Sequence, residues 1–274
     1  MTSTEPPEAA AAETSASIEG DGSAGEGFQK AATPRRRLPG PVLFAVLGVA
    51  VLLAGAFAFL AVRHHDQENA LASIRATGIP ANVPTSLANL MALSPVPAHP
   101  APNFTLVDQS GHTLSLSSFK GRAVVLEFMD THCTDICPIV SQEFVDAYRD
   151  LGKAASRVVF VGVNVNQYHA GVADVAAFSH EHQLETIPSW HFFTGSVGVL
   201  QAVWHDYGVE VEAPNPNADI IHSSFVYFID PSGHERYLGN PTDDHTASGA
   251  AYLPAGPLAS WGDGIALVSR SLVG

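Results

Sequence analysis

Hydrophobic and polar positions alternate differently along successive stretches of this chain, and each change of pattern marks a boundary. Residues 1–37 carry almost no large apolar side chains and are rich in Ala, Glu, Ser, Gly and Pro. Such a composition buries too little surface to offset the entropy of ordering, so a disordered N-terminus is expected. Residues 38–62 then hold no charge at all. The 22 residues Pro41–Val62 reach about 33 Å as a helix, enough for a hydrocarbon core of roughly 30 Å. This run exceeds the apolar core of a cleaved secretory signal, typically about 7–15 residues, so a single transmembrane anchor is expected. Arg35, Arg36 and Arg37 precede it and only Arg63 follows at once, which places the N-terminus in the cytoplasm and the main domain outside the cell membrane. Residues 63–101 read as a Pro-rich tether, with a short helix over Asn69–Gly78 before Pro80, Pro84, Pro95, Pro97 and Pro100 break any long element.

From residue 102 to 274 the pattern becomes that of a folded domain. Phe104–Asp108 and Thr113–Leu116 flank Gln109-Ser110-Gly111 and suit an entry hairpin, followed by a tight turn at Ser117–Gly121. Ala123–Met129 and Arg157–Asn164 are continuous apolar runs of buried strands. Between them Ile139, Val140, Phe144, Val145, Tyr148 and Leu151 recur at helical spacing, which predicts an amphipathic helix over Pro138–Gly152. Pro138 suits its first turn and Gly152 its end. Helices over Val172–His182 and Val197–Tyr207 bracket a strand at Ser189–Thr194. His222–Ile229 and Glu235–Leu238 predict a hairpin through Asp230-Pro231-Ser232-Gly233, and Leu258–Leu272 a last helix in the extension beyond Asn240. Strands and helices alternating in this order predict an α/β sandwich with parallel early strands and an antiparallel hairpin at the end.

Charge narrows the function classes. A net charge of −14 argues against nucleic acid, which needs clustered Lys and Arg to neutralise phosphates. The cysteine content is more informative. The chain has 2 cysteines, Cys133 and Cys137, four positions apart where the first apolar strand gives way to its helix. The carboxyl ends of strands are where ligand sites of open α/β sheets collect. One turn of helix places α-carbons at a spacing that a disulfide accepts, and lets two thiolates converge on one ion. Asp135 is placed to cap that turn, and the helix N-terminus favours thiolate. Two sulfurs do not complete a structural zinc site, but two sulfurs and one imidazole suit copper. Of the 13 histidines, His64 and His65 sit beside the anchor. His112, His169 and His234 fall in turns and His180 and His182 on a helix, all expected to be solvated. His132 adjoins Cys133 and should point away from the sulfurs, and His191 lies on a strand as a core or rim residue. His222 begins an apolar strand after Glu212–Asp219, a Pro- and Asn-rich loop with the composition of a mobile lid, and is a candidate third ligand.

The pattern Thr131-x-Cys133-x-Asp135-x-Cys137-Pro138 resembles the copper motif of the Sco/SenC family. Phe104-Thr105-Leu106, Gly121-Arg122-Ala123-Val124-Val125, Trp190–Gly195 and His222–Gly233 are similar to that family's entry hairpin, core strands and ligand-bearing strand. The resemblance, over residues 101–240, implies a thioredoxin-like α/β sandwich with an N-terminal β-hairpin extension, preceded by one transmembrane helix. It implies copper, as Cu(I) or Cu(II), held by Cys133, Cys137 and His222. The activity it implies is a metallochaperone serving the binuclear copper centre of the copper-bearing subunit of cytochrome c oxidase, supplied by an upstream copper donor or thiol reductant. An exported thiol–disulfide oxidoreductase using Cys133 and Cys137 as its redox pair is the alternative. A thiol peroxidase and a purely structural disulfide are weaker ones. The chain departs from the family pattern at Ile221, where many relatives are acidic, and at Asn164-Val165-Asn166, where an Asp-Pro is frequent.

Overall fold

The computed structural model describes residues 53–60, 62–63 and 77–274 apart from Asp219. Residues 53–60 and 62–63 are helical. The rest of the expected anchor, the N-terminal 37 residues and most of Asn69–Gly78 lie outside the described residues. No helix among the described residues is long and apolar enough to cross a membrane.

The core is a six-stranded sheet in the order β1-β10-β9-β4-β5-β6. Its strands are β1 (Ser94–Pro100), β4 (Ala123–Met129), β5 (Val158–Asn164), β6 (Trp190–Phe193), β9 (Val226–Ile229) and β10 (His234–Gly239). β4, β5 and β6 run parallel, whereas β9 pairs antiparallel with β4 and β10 with β9. β2 (Thr105–Val107) and β3 (Thr113–Ser115) form the expected entry hairpin. Helices α1 (Thr85–Leu90), α2 (Ile136–Leu151), α3 (Val172–Glu181), α4 (Val197–Asp206) and α5 (Ala255–Val273) complete the expected α/β sandwich.

Every residue of β4 and β5 is buried because both faces of the sheet are covered, which is why these strands read as unbroken apolar runs. Alternation still sorts them. Ala123, Val125 and Met129 face a core shared with Phe144 of α2, Phe178 of α3 and Trp261 of α5. Val124, Leu126 and Phe128 face Phe104 and Phe119 of the entry segment and Leu200 and Trp204 of α4. Glu127 lies on the first of these faces, opposite Gly162 in β5.

Four features differ from the sequence expectations. Part of the supposed tether is built into the domain: α1 starts directly after Pro84, and β1 pairs with β10 despite Pro95, Pro97 and Pro100, because an edge strand leaves many N–H groups unpaired anyway. The last helix, expected in an extension beyond the main pattern, is integral to the core. Trp261, Ile265, Ala266 and Val268 are fully buried against the sheet and α2. Gly262 permits that approach, since a Cβ there would lie 2.8 Å from Asp146 Cβ. A small hairpin, β11 (Asp244–His245) with β12 (Ala251–Tyr252), precedes this helix and had no clear alternation to reveal it. Finally, His222–Ile229 is not one strand. Ile221–His222 (β8) pairs with Val211–Glu212 (β7), and Ser223–Phe225 carries the chain over to β9.

Candidate functional site

β4 delivers the chain to Asp130 at the carboxyl edge of the sheet, where a short loop precedes α2. Asp130 organises that loop: its Oδ1 accepts the His132 N–H at 2.8 Å and the Asn166 side-chain amide at 2.7 Å. Its carbonyl accepts the Cys133 N–H at 3.2 Å, closing a turn. Thr131 Oγ1 donates to the His169 carbonyl at 3.2 Å, tying the cysteine loop to the loop after β5.

The two cysteines occupy different settings. α2 begins at Ile136, so Cys133 lies before the helix and Cys137 within its first turn, rather than both on one turn. Asp135 holds the N-cap position, yet its side chain makes no capping bond and instead pairs with His245 Nε2 at 3.2 Å. The capping role falls to sulfur: Cys133 Sγ accepts the backbone N–H groups of Asp135 and Cys137, each at 3.4 Å. Unpaired N–H groups at a helix start need such an acceptor, and a thiolate answers them better than a thiol.

Neither cysteine is in a disulfide; Cys133 is half-buried and Cys137 buried. The Cys137 thiol donates to Cys133 sulfur, and with the two backbone N–H groups this lowers the Cys133 pKa from 9.0 to about 7, against the opposing effect of burial. Cys137 moves the other way, pushed well above the ordinary thiol range by that same bond and by complete burial. One thiol is thus poised to react or ligate, and the other holds its proton in reserve.

His222 shares a cavity of about 710 Å³ with Cys133, Asp130, Ile221 and Ala250. Its Nδ1 lies 3.1 Å from the Ser223 carbonyl, which can only accept, so Nδ1 carries the proton and Nε2 keeps its lone pair. Burial lowers the His222 pKa, which also favours the neutral, ligating ring. The three candidate ligands nevertheless do not converge: among the described residues no metal-sized group with donors within 4.8 Å of one another includes Cys133, Cys137 and His222.

Several nearby groups were not legible in advance. Ser224, two residues beyond His222, donates to Glu127 Oε1 at 2.5 Å. Glu127 is buried without a partner for its other oxygen, and burial pushes its pKa up to about 8. Gly249, Ala250 and Ala251 of the β11–β12 hairpin line the cavity beside the cysteines. His169, expected in solvent, is half-buried with its ring stacked on His132 at 3.6 Å between centroids. His182 is also partly buried, against Phe178, and its pKa is lowered by desolvation. His191 holds its expected rim place, with Nδ1 3.1 Å from Asp108 Oδ2.

This mixed α/β domain carries a reduced cysteine pair at the carboxyl edge of its central strand. Residues 94–250 match the model of the SCO1/SenC family, more than half of the chain, and the chain belongs to that family. It is 25% identical over 132 residues to the SCO1 protein homolog of Bacillus subtilis, covering 47% of this chain and 68% of that protein. A shorter stretch of 59 residues is 46% identical to a chloroplastic peroxiredoxin Q of Oryza sativa subsp. japonica, covering 22% of this chain but only 27% of that one. In three dimensions the chain resembles a SCO1/SenC family lipoprotein of Bacillus anthracis, with a TM-score of 0.51 and 22% identity over 66% of this chain and 98% of that one.

Proposed function

We propose that this protein is a membrane-anchored copper metallochaperone in which Cys133, Cys137 and His222 hold copper as cargo for the binuclear centre of cytochrome c oxidase. The observation that carries the proposal is the donor set facing one cavity: a thiol already lowered toward thiolate at Cys133, and a neutral imidazole at His222 with Nε2 free. Thiolate softness with one imidazole suits Cu(I), and a vacant position or an added oxygen suits Cu(II). Because His222 stands apart from the sulfurs, loading requires the β7–β8 hairpin to bring it inward. A ligand carried on such a hairpin can also leave, as release to an acceptor demands. Residues 38–62 anchor the domain at the outer face of the cell membrane, with residues 1–37 cytoplasmic.

Reduced full-length protein should bind one Cu(I) ion per chain, and Cys133→Ser, Cys137→Ser or His222→Ala should each weaken that binding. Wild type that binds no copper, or three variants that bind as wild type does, would overturn the proposal. Loss of the protein from membranes on carbonate extraction would overturn the anchor.

The unequal thiols also support thiol–disulfide exchange as a second activity. Cys133 would attack a partner disulfide and Cys137 would release the mixed disulfide by closing onto Cys133. Two electrons pass to the partner, and an external thiol reductant restores the pair. No turnover of a disulfide substrate with such a reductant would exclude that activity.

A further inference from the structure

Cys133 borders a second cavity of about 460 Å³, which it shares with His132 and Asp174 rather than with His222. The donor atoms of His132, His169 and Asp174 lie within 4.8 Å of one another. Neither imidazole is drawn into a hydrogen bond among the described residues, and the two rings stack at 3.6 Å and 25°. Asp174 uses Oδ2 to accept the Gly171 N–H at 2.8 Å, which fixes the carboxylate and leaves Oδ1 available.

Three polar side chains hold the His169 backbone in place. Asn166 Oδ1 accepts its N–H at 3.0 Å, and Asn164 Nδ2 and Thr131 Oγ1 donate to its carbonyl at 2.9 and 3.2 Å. Asn166 in turn donates to Asp130, the residue that also fixes the His132 backbone. Asn164 Oδ1 accepts the Asn166 N–H at 2.8 Å, so the two asparagines brace one another. Their effect here is to hang a histidine beside His132.

We propose that His132, His169 and Asp174 form a binding site for one divalent transition-metal ion of borderline character, Cu(II) or Zn(II), beside Cys133 and separate from the Cys133–Cys137–His222 set. Two imidazoles and a carboxylate suit these ions better than Cu(I), which thiolates select. Ligand bonds of about 2.0–2.2 Å bring donors closer together than they stand now. His132 is exposed and supplies the movement by turning out of the stack.

The test is metal titration of the full-length protein in detergent, with the thiol set removed by Cys133→Ser, Cys137→Ser and His222→Ala together. Disulfide-oxidised wild type serves as a second background that needs no substitution. Calorimetry with ZnCl2 alone should show one site per chain, and the electron paramagnetic spectrum with CuCl2 alone should show coupling to two nitrogens. His132→Ala or His169→Ala should lower affinity more than tenfold. Asp174→Asn, which keeps the Gly171 bond, should weaken binding less, and Asn166→Ala should cost about 10-fold or more by releasing His169. His245→Ala, in the other histidine–carboxylate group at Asp135 and Asp243, should leave binding unchanged. Absence of a site in both backgrounds, His169→Ala binding as its parent does, or loss of the site in His245→Ala would each overturn the proposal.

Discussion

Removing the Cys137 thiol should raise the pH at which Cys133 becomes reactive. The bond from Cys137 is the largest cause of the drop in Cys133 pKa from 9.0 to about 7. At pH 7 that drop makes about half of Cys133 thiolate against roughly 1% at the ordinary value, about a 50-fold gain. The lower basicity of that thiolate reduces its intrinsic nucleophilicity by roughly 8-fold, so net reactivity at pH 7 should rise about 6-fold. In Cys137→Ala the backbone N–H groups of Asp135 and Ala at 137 still point at sulfur, so the midpoint should move toward 9 without reaching it. Iodoacetamide alkylation of Cys133 in the reduced, metal-free protein, followed by mass spectrometry from pH 5 to 10, measures both midpoints. A wild-type midpoint near 9, or a variant midpoint equal to wild type, would refute the reasoning.

Glu127 is buried with a pKa raised to about 8, so it stays protonated in the fold while an unfolded chain ionises near 4.5. Its contribution to stability is therefore complete below about pH 4.5 and declines as pH rises toward 8, so Glu127→Gln should flatten the fall and gain on the order of 3 kcal/mol at pH 7. Urea unfolding at pH 5 and pH 8 checks this, and a variant with the same pH slope as wild type would contradict it. Trp261→Ala removes a fully buried ring of α5 and should cost about 3–5 kcal/mol in the same assay; a loss below about 1 kcal/mol would show that α5 is not part of the core. Gly262→Leu should be destabilising too, since its side chain meets Asp146 of α2; unchanged stability would mean the two helices are not held in contact.

Much of the fold was readable because β4, β5 and α2 carry strong, uninterrupted patterns. The site was readable where chemistry concentrates, at Cys133 and Cys137. What escaped depends on long-range partners. Proline density made Ser94–Pro100 look like spacer, but only β10 reveals it as an edge strand. Asp135 looked like a helix cap until His245, 110 positions later, engaged its carboxylate and Cys133 sulfur took the capping N–H groups. His169 looked like a turn residue because nothing local shows that Asn164, Asn166 and Thr131 press it against His132. Glu127 was hidden within an apolar strand, its role set by Ser224 across the sheet.

The most direct measurement is a Cu(I) competition titration of the reduced full-length protein against a chelator of known affinity, with His222→Ala beside wild type. One Cu(I) per wild-type chain is expected. His222→Ala should lose more than the roughly 10–100-fold that removal of an outer partner costs. Equal affinity in the two proteins would mean that His222 is not a copper ligand and that the proposed site is wrong.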